Sequence, residues 1–219
     1  MLRNTLRFSL ILLPVAVLCG GCLAVGQSFD LASAVLTLAA SGAGSIAIAA
    51  LDKREWIRTG AKAPDFVGTL RGGFGNPFDV VVRGHVPFAK VTADVVAKGL
   101  KAKGFGAKAV EVDPKADDAA ALAALQASGA AKLLLIDVQK WQSDTYMKVG
   151  MHYLLVAKVM DAAGNVLAEA SVTGAEDGKD DLKGSAMNPA GYAKKVVPKA
   201  FRDQLERLLN ADAVVKALA

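Results

Sequence analysis

The chain has two cysteines, and they stand two residues apart in Leu18-Cys19-Gly20-Gly21-Cys22. A CxxC pair does thiol or zinc chemistry at a strand-to-helix junction, or where a second Cys or His pair completes a tetrahedral site. His85 and His152 lie far away and in different contexts, so zinc would lack ligands. A histidine-based nucleophile would need one of them as its base. No serine occupies a GxSxG elbow: Ser185, in Lys183-Gly184-Ser185-Ala186-Met187, lacks the second glycine. The densest carboxylate run, Glu176-Asp177-Gly178-Lys179-Asp180-Asp181, misses the oxygen spacing of a calcium loop and is interrupted by Lys179, so it reads as a solvated loop. The glycine-rich stretch Arg71-Gly72-Gly73-Phe74-Gly75-Asn76-Pro77-Phe78 leads into a strand instead of a helix N-terminus, which makes it a turn and not a phosphate cradle. No catalytic residue, metal ligand or cofactor is assigned on these grounds.

One stretch carries binding chemistry. Trp141-Gln142-Ser143-Asp144-Thr145-Tyr146-Met147 puts Trp141, Tyr146 and Met147 in an otherwise polar connection between two strands. Such side chains are favoured in binding surfaces, and they equally pack along sheet edges. These three residues form the expected partner-binding loop, with edge packing as the alternative.

What precedes the cysteines explains them better than metal does. Residues 1–7 carry Arg3 and Arg7, and residues 8–18 are an almost unbroken apolar run, the n-region and h-region of a secretory signal. Leu18-Cys19-Gly20-Gly21-Cys22 resembles the lipobox of bacterial lipoproteins, with Cys19 where such motifs usually hold Leu. The resemblance implies a signal peptide over 1–21, cleavage between Gly21 and Cys22, and a diacylglyceryl-modified, N-acylated Cys22 as the membrane anchor. By the sorting rule of such lipoproteins, Leu23 in place of Asp implies the outer membrane, with the domain facing the periplasm.

Removing Arg3 and Arg7 with the signal lowers the formal charge from +5 to +3 (24 basic minus 21 acidic). With only 6% aromatic residues and no basic cluster interleaved with them, nucleic acid is not an expected partner. The mature chain keeps one cysteine and hence no internal disulfide, which leaves stability to the core.

Residues 31–51, LASAVLTLAASGAGSIAIAAL, hold no charge over 21 positions, long enough for a spanning helix with a stripe of small residues. The segment is followed by Lys53, Arg54 and Arg58 with Trp56. Under the positive-inside rule, it could pair with an uncleaved first helix as an inner-membrane hairpin carrying a cytoplasmic domain. The other reading is a packed or membrane-lying element, strand-like at its end. Residues 22–61 are therefore expected as a lipidated N-terminal region, ahead of a single α/β domain over 62–219.

Within that domain, strands are expected at 66–70, 79–82, 107–112 and 132–138. Helices over 87–103 and from 113 to 127 separate the last three. Helix-linked strands of this kind run parallel, so β-α-β-α-β forms a small mixed sheet. An antiparallel hairpin over 148–160 and 166–173 follows, turning at 161–165. Helices over 189–209, divided or kinked at Pro198, and over 211–218 close the chain. This element order resembles the small α/β domains of envelope lipoproteins, including the curli secretion lipoprotein and the N-terminal domain of the Tol-system propeller protein. The C-terminal part resembles uncharacterised proteobacterial envelope lipoproteins. The expected function is a lipid-anchored envelope protein of non-enzymatic binding or assembly role, its partner another envelope protein or a second copy. The alternatives are the inner-membrane hairpin and an unrecognised hydrolase using His85 or His152.

Overall fold

The computed structural model describes residues 27–177 and 188–219. Gly21, Cys22, the polar run 178–183 and Ser185 lie outside the described residues. Eight strands make one mixed sheet: β1 Gln27–Phe29, β2 Ser45–Asp52, β3 Phe66–Arg71, β4 Pro77–Val82, β5 Gly106–Ala109, β6 Lys132–Thr145, β7 Val149–Asp161 and β8 Val166–Asp177. The helices are α1 Glu55–Arg58, α2 Phe88–Lys101, α3 Asp118–Ala127, α4 Pro189–Leu209 and α5 Asp212–Leu218.

β6 is the spine. One edge pairs antiparallel with β7 along its whole length. The other edge pairs parallel with β2 over 132–138 and then with β3 over 143–145. β5 lies parallel beyond β2, β4 antiparallel beyond β3, and β1 parallel beyond β4. The mixed α/β class, the antiparallel hairpin and the C-terminal helices are as expected. The strand neighbours differ: β2 stands between β5 and β6, and β4 belongs to the other branch of the sheet.

β2 comes from the apolar run 31–51, which is not a helix. Ile46, Ile48 and Ala50 face the larger core, while Ala47, Ala49 and Leu51 face the smaller one. A strand covered on both faces needs an apolar residue at every position, which is why it imitates a membrane span in sequence. After a turn at 31–34, the segment 35–40 leads into it, with Leu36, Leu38 and Ala40 buried and their neighbours exposed. Its backbone is held by side chains of the last turn of α4: Thr37 N–H donates to Glu206 (2.7 Å), Ala39 N–H donates to Asn210 (2.8 Å), and Asn210 Nδ2 donates to Thr37 O (2.9 Å). Gly99 of α2 admits this segment, since a Cβ there would crowd Leu36 and Leu38 at 3.1–3.3 Å. Among the described residues no helix is long and apolar enough to cross a membrane. The hairpin alternative thus loses its second helix. The boundary expected at residue 62 falls inside the sheet, because β1 and β2 pair with strands beyond it.

Helices α2, α4 and α5 cover one face of the sheet and α3 covers part of the other. α3 opens on Asp117, whose carboxylate accepts from Ala120 N–H, an N-cap that satisfies one otherwise free donor. α4 runs through Pro198 as one element, so the expected division does not occur.

Candidate interaction surface

Because β3 is parallel to β6, with Leu70 level with Thr145, the turns after both strands leave the sheet at the same end. The β3–β4 turn is closed by Gly72 N–H donating to Asn76 O (2.9 Å) and Gly75 N–H donating to Gly72 O (2.8 Å). Gly75 has φ +83, a left-handed conformation that costs glycine little. Phe74 at the top of this turn is 100% exposed. The β6–β7 turn is tied by Tyr146 N–H donating to Lys148 O (3.0 Å). The Tyr146 hydroxyl reaches Gly73 O (3.4 Å), and Arg71 forks onto both Asp144 oxygens (2.9 and 2.6 Å). The two turns are therefore braced against each other. They present Phe74, Tyr146 (42% exposed) and Met147 (62%) together, with Lys148 exposed at the shoulder. An apolar, partly aromatic tip of this kind has the means to engage an apolar surface.

Tyr146 and Met147 lie exposed in the β6–β7 turn, and Phe74 joins them from the glycine-rich turn. Trp141 does not. It is fully buried, its ring 4.6 Å from that of Phe88 and 5.9 Å from that of Phe201, with Nε1–H donating to Gln204 Oε1 (2.7 Å). The correction has a local cause: β6 continues to Thr145, and a register shift between Val138 and Lys140 adds one residue to its pairing with β7. One extra residue reverses which alternate positions face the core, so Trp141, Ser143 and Thr145 are buried where unbroken alternation from Val138 would point them outward.

The histidines go to separate places. His85, with φ +56, lies between β4 and α2, and its Nδ1 is 2.6 Å from Asp65 Oδ2. The Asp65 carboxyl is buried and the His85 ring is 79% exposed. His152 borders a shallow hollow with Asp144, Tyr146, Met147 and Lys148, whose lining includes no serine, threonine or cysteine. Among the described residues no three His, Cys, Asp or Glu side chains gather as a metal cluster.

Two buried charge sites were missed by the sequence reading. Arg54 is fully buried and grips Asp52 with Nε (2.7 Å) and Nη2 (2.6 Å), while Nη1 donates to Phe66 O (2.7 Å) and Trp141 O (3.1 Å). Its guanidinium also lies 4.9 Å over the Phe88 ring. On the α3 side, buried Asp137 accepts from Lys53 (2.9 Å) and Lys158 (3.4 Å), and Asp118 bridges the same two lysines. Burial pulls the Lys53 ammonium down, but hydrogen bonds to Asp118 and Asp137 and their charges outweigh it, so its pKa lies above the ordinary lysine value. The hydrogen bond from Lys53 leads the causes that hold Asp118 below the usual carboxylate range. The signal was present: Asp137 is the one charge within the apolar run 133–138. A small cavity of about 120 Å³ lies between the start of α2 and the segment after β5, bordered by Pro87, Lys90, Asp94 and Glu111.

No protein-family model matches the chain, and no curated protein matches it in sequence. In structure it is similar to protein XCC0632 from Xanthomonas campestris, described as family DUF330, at a TM-score of 0.50 and 15% identity over 84% of this chain and 94% of that one. It is less similar to PelC from Paraburkholderia phytofirmans, solved as a dodecamer (TM-score 0.41, 15% identity, 80% and 91% covered). Lipoprotein GNA1162 from Neisseria meningitidis gives a TM-score of 0.30 at 15% identity, with 73% and 99% covered. The first likeness supports the fold alone, and the weaker two carry no argument.

Proposed function

We propose that this is a lipid-anchored protein of the cell envelope, cleaved after Gly21, acylated on Cys22, and holding its α/β domain in the periplasm at the outer membrane. Its role there is non-enzymatic, binding another envelope protein or a second copy of itself. The observation that carries this reading is the order of residues 1–22: basic start, apolar run, small residues, cysteine. Three structural facts support it. Within the apolar segment 31–51, residues 45–51 form a buried strand of the sheet, and the first described strand begins at Gln27, five residues after Cys22. Phe74, Tyr146 and Met147 form an exposed apolar tip that a binding partner would cover.

Trypsin access tests the location. In cells whose outer membrane alone is opened, the chain is expected to be cut at Lys179 in the polar run after β8. Cleavage only after the inner membrane is also broken would place the domain in the cytoplasm and reject the reading.

A further inference from the structure

We infer that the tip formed by Phe74, Tyr146 and Met147 is a membrane-contacting surface, seated on the same bilayer that holds the Cys22 lipid; the inference rests on that acylation. β1 runs parallel to β4 with Gln27 level with Val80, so the chain before Gln27 leaves β1 toward Pro77, the end of β4 that adjoins the Phe74 turn. Val80 is three strand positions from Pro77, about 10 Å at a rise of roughly 3.3 Å per residue. The five residues from Cys22 to Gln27 extend to about 16–18 Å at most. The lipid thus reaches the level of Phe74 with little slack.

The same arithmetic excludes the other exposed apolar end. Val166 and Leu167, 57% and 51% exposed, follow the β7–β8 turn at the opposite pole. Gly68 is level with both Val80 and Ser143, and Ser143 is eleven positions along β6 from Lys132, which pairs with Asp161 at that pole. That is about 36 Å, twice the tether. A lipid on Cys22 therefore reaches the Phe74 end of the domain and falls short of its 161–167 end.

The chemistry of the tip fits that occupant. Phe74 stands between Gly73 and Gly75 with its ring wholly in solvent, a costly placement for a lone aromatic unless it enters an apolar phase. Tyr146 offers a ring with a polar end, suited to the headgroup boundary. Lys148 beside it supplies a long stem and a cation for anionic headgroups. Contact at a second point turns a swivelling tether into a fixed posture, with the 161–167 end presented to the periplasm.

The test uses the full acylated protein, purified from membranes and mixed with vesicles of phosphatidylethanolamine and phosphatidylglycerol. In the processed chain Cys22 is blocked by lipid, so Gly73→Cys gives a single thiol for an environment-sensitive fluorophore. A Cβ at Gly73 meets nothing within 4 Å, and Phe74 is kept. Ala163→Cys, exposed in the β7–β8 turn, is the control. Co-flotation with vesicles reads the anchor; blue-shifted emission, quenched by brominated acyl chains, reads the tip. The expected result is flotation of both, with shift and quenching at position 73 only, and loss of that shift when Phe74→Ser and Met147→Ser are added. Flotation with position 73 still solvent-like overturns the tip while leaving the anchor intact. A shift that needs no vesicles and grows with protein concentration assigns the tip to a second copy and also overturns it. Failure to float, with the mass of an unacylated chain, removes the anchor and the inference together.

Discussion

Asp52→Leu is expected to destabilise the domain by about 3–5 kcal/mol, the range for breaking one half of a buried ion pair. Asp52 and Arg54 expose 1% and 0% of their side chains, so neither water nor salt replaces a lost partner. Without Asp52, the guanidinium keeps only the carbonyls of Phe66 and Trp141 and the face of Phe88. Arg54→Met is expected to cost as much, because it strands the carboxylate and releases both carbonyls. The double variant should lose less than the sum, since apolar replacement of a buried pair approaches neutrality. It should remain below wild type by about 1–3 kcal/mol, because the two carbonyls stay unsatisfied. Urea midpoints at unchanged slope measure all three. A single variant within about 1 kcal/mol of wild type would mean a solvated pair and contradict the burial described here. The pair joins β2, β3 and β6 at the point where β6 exchanges one neighbour for the other, which gives it a structural task beyond its own energy.

Trp141→Ala is the second large effect, at about 3–5 kcal/mol. The indole fills the junction of β6 with α2 through Phe88 and with α4 through Phe201, so its removal leaves a cavity bounded by three elements. Trp141→Phe retains most of the ring contact but leaves Gln204 Oε1 without its donor, a buried deficit of about 1–3 kcal/mol. The two variants therefore separate packing from hydrogen bonding. Thermal or urea unfolding reads both. An alanine variant of near wild-type stability that had lost partner binding would return Trp141 to the surface role first expected of it.

How much of this was legible depends on how a residue's environment enters the sequence pattern. The amphipathic spacing of α2, with Val91, Val95, Val96 and Leu100 on one side, and the 161–165 turn that joins β7 to β8 are local and were readable. β2 was not: a strand covered on both faces shows no alternation, and in 31–51 it follows a segment of similar composition. The small residues at every fourth position of that run suggested a helix stripe, whereas the alternate burial of Leu36, Leu38 and Ala40 followed a strand period. Trp141 was misplaced for a different reason. The added residue near Val138 changes the facing of everything after it, and no residue type there announces it. Of the surface tip, Tyr146 and Met147 were identified from type alone, while Phe74 was read only as part of a turn. That β3 and β6 end together is a fact of pairing between segments over seventy residues apart. The proposed lipid site is the converse case, resting on sequence alone because Gly21 and Cys22 lie outside the described residues.

Intact mass decides whether the chain is anchored through Cys22. Wild type and Cys22→Ser are expressed from the native N-terminus and recovered from the membrane fraction. The expected result is a wild-type chain that begins at residue 22 and carries the added mass of diacylglyceryl and N-acyl groups, beside a mutant that is uncleaved and unmodified. A wild-type chain at unmodified full-length mass would contradict it.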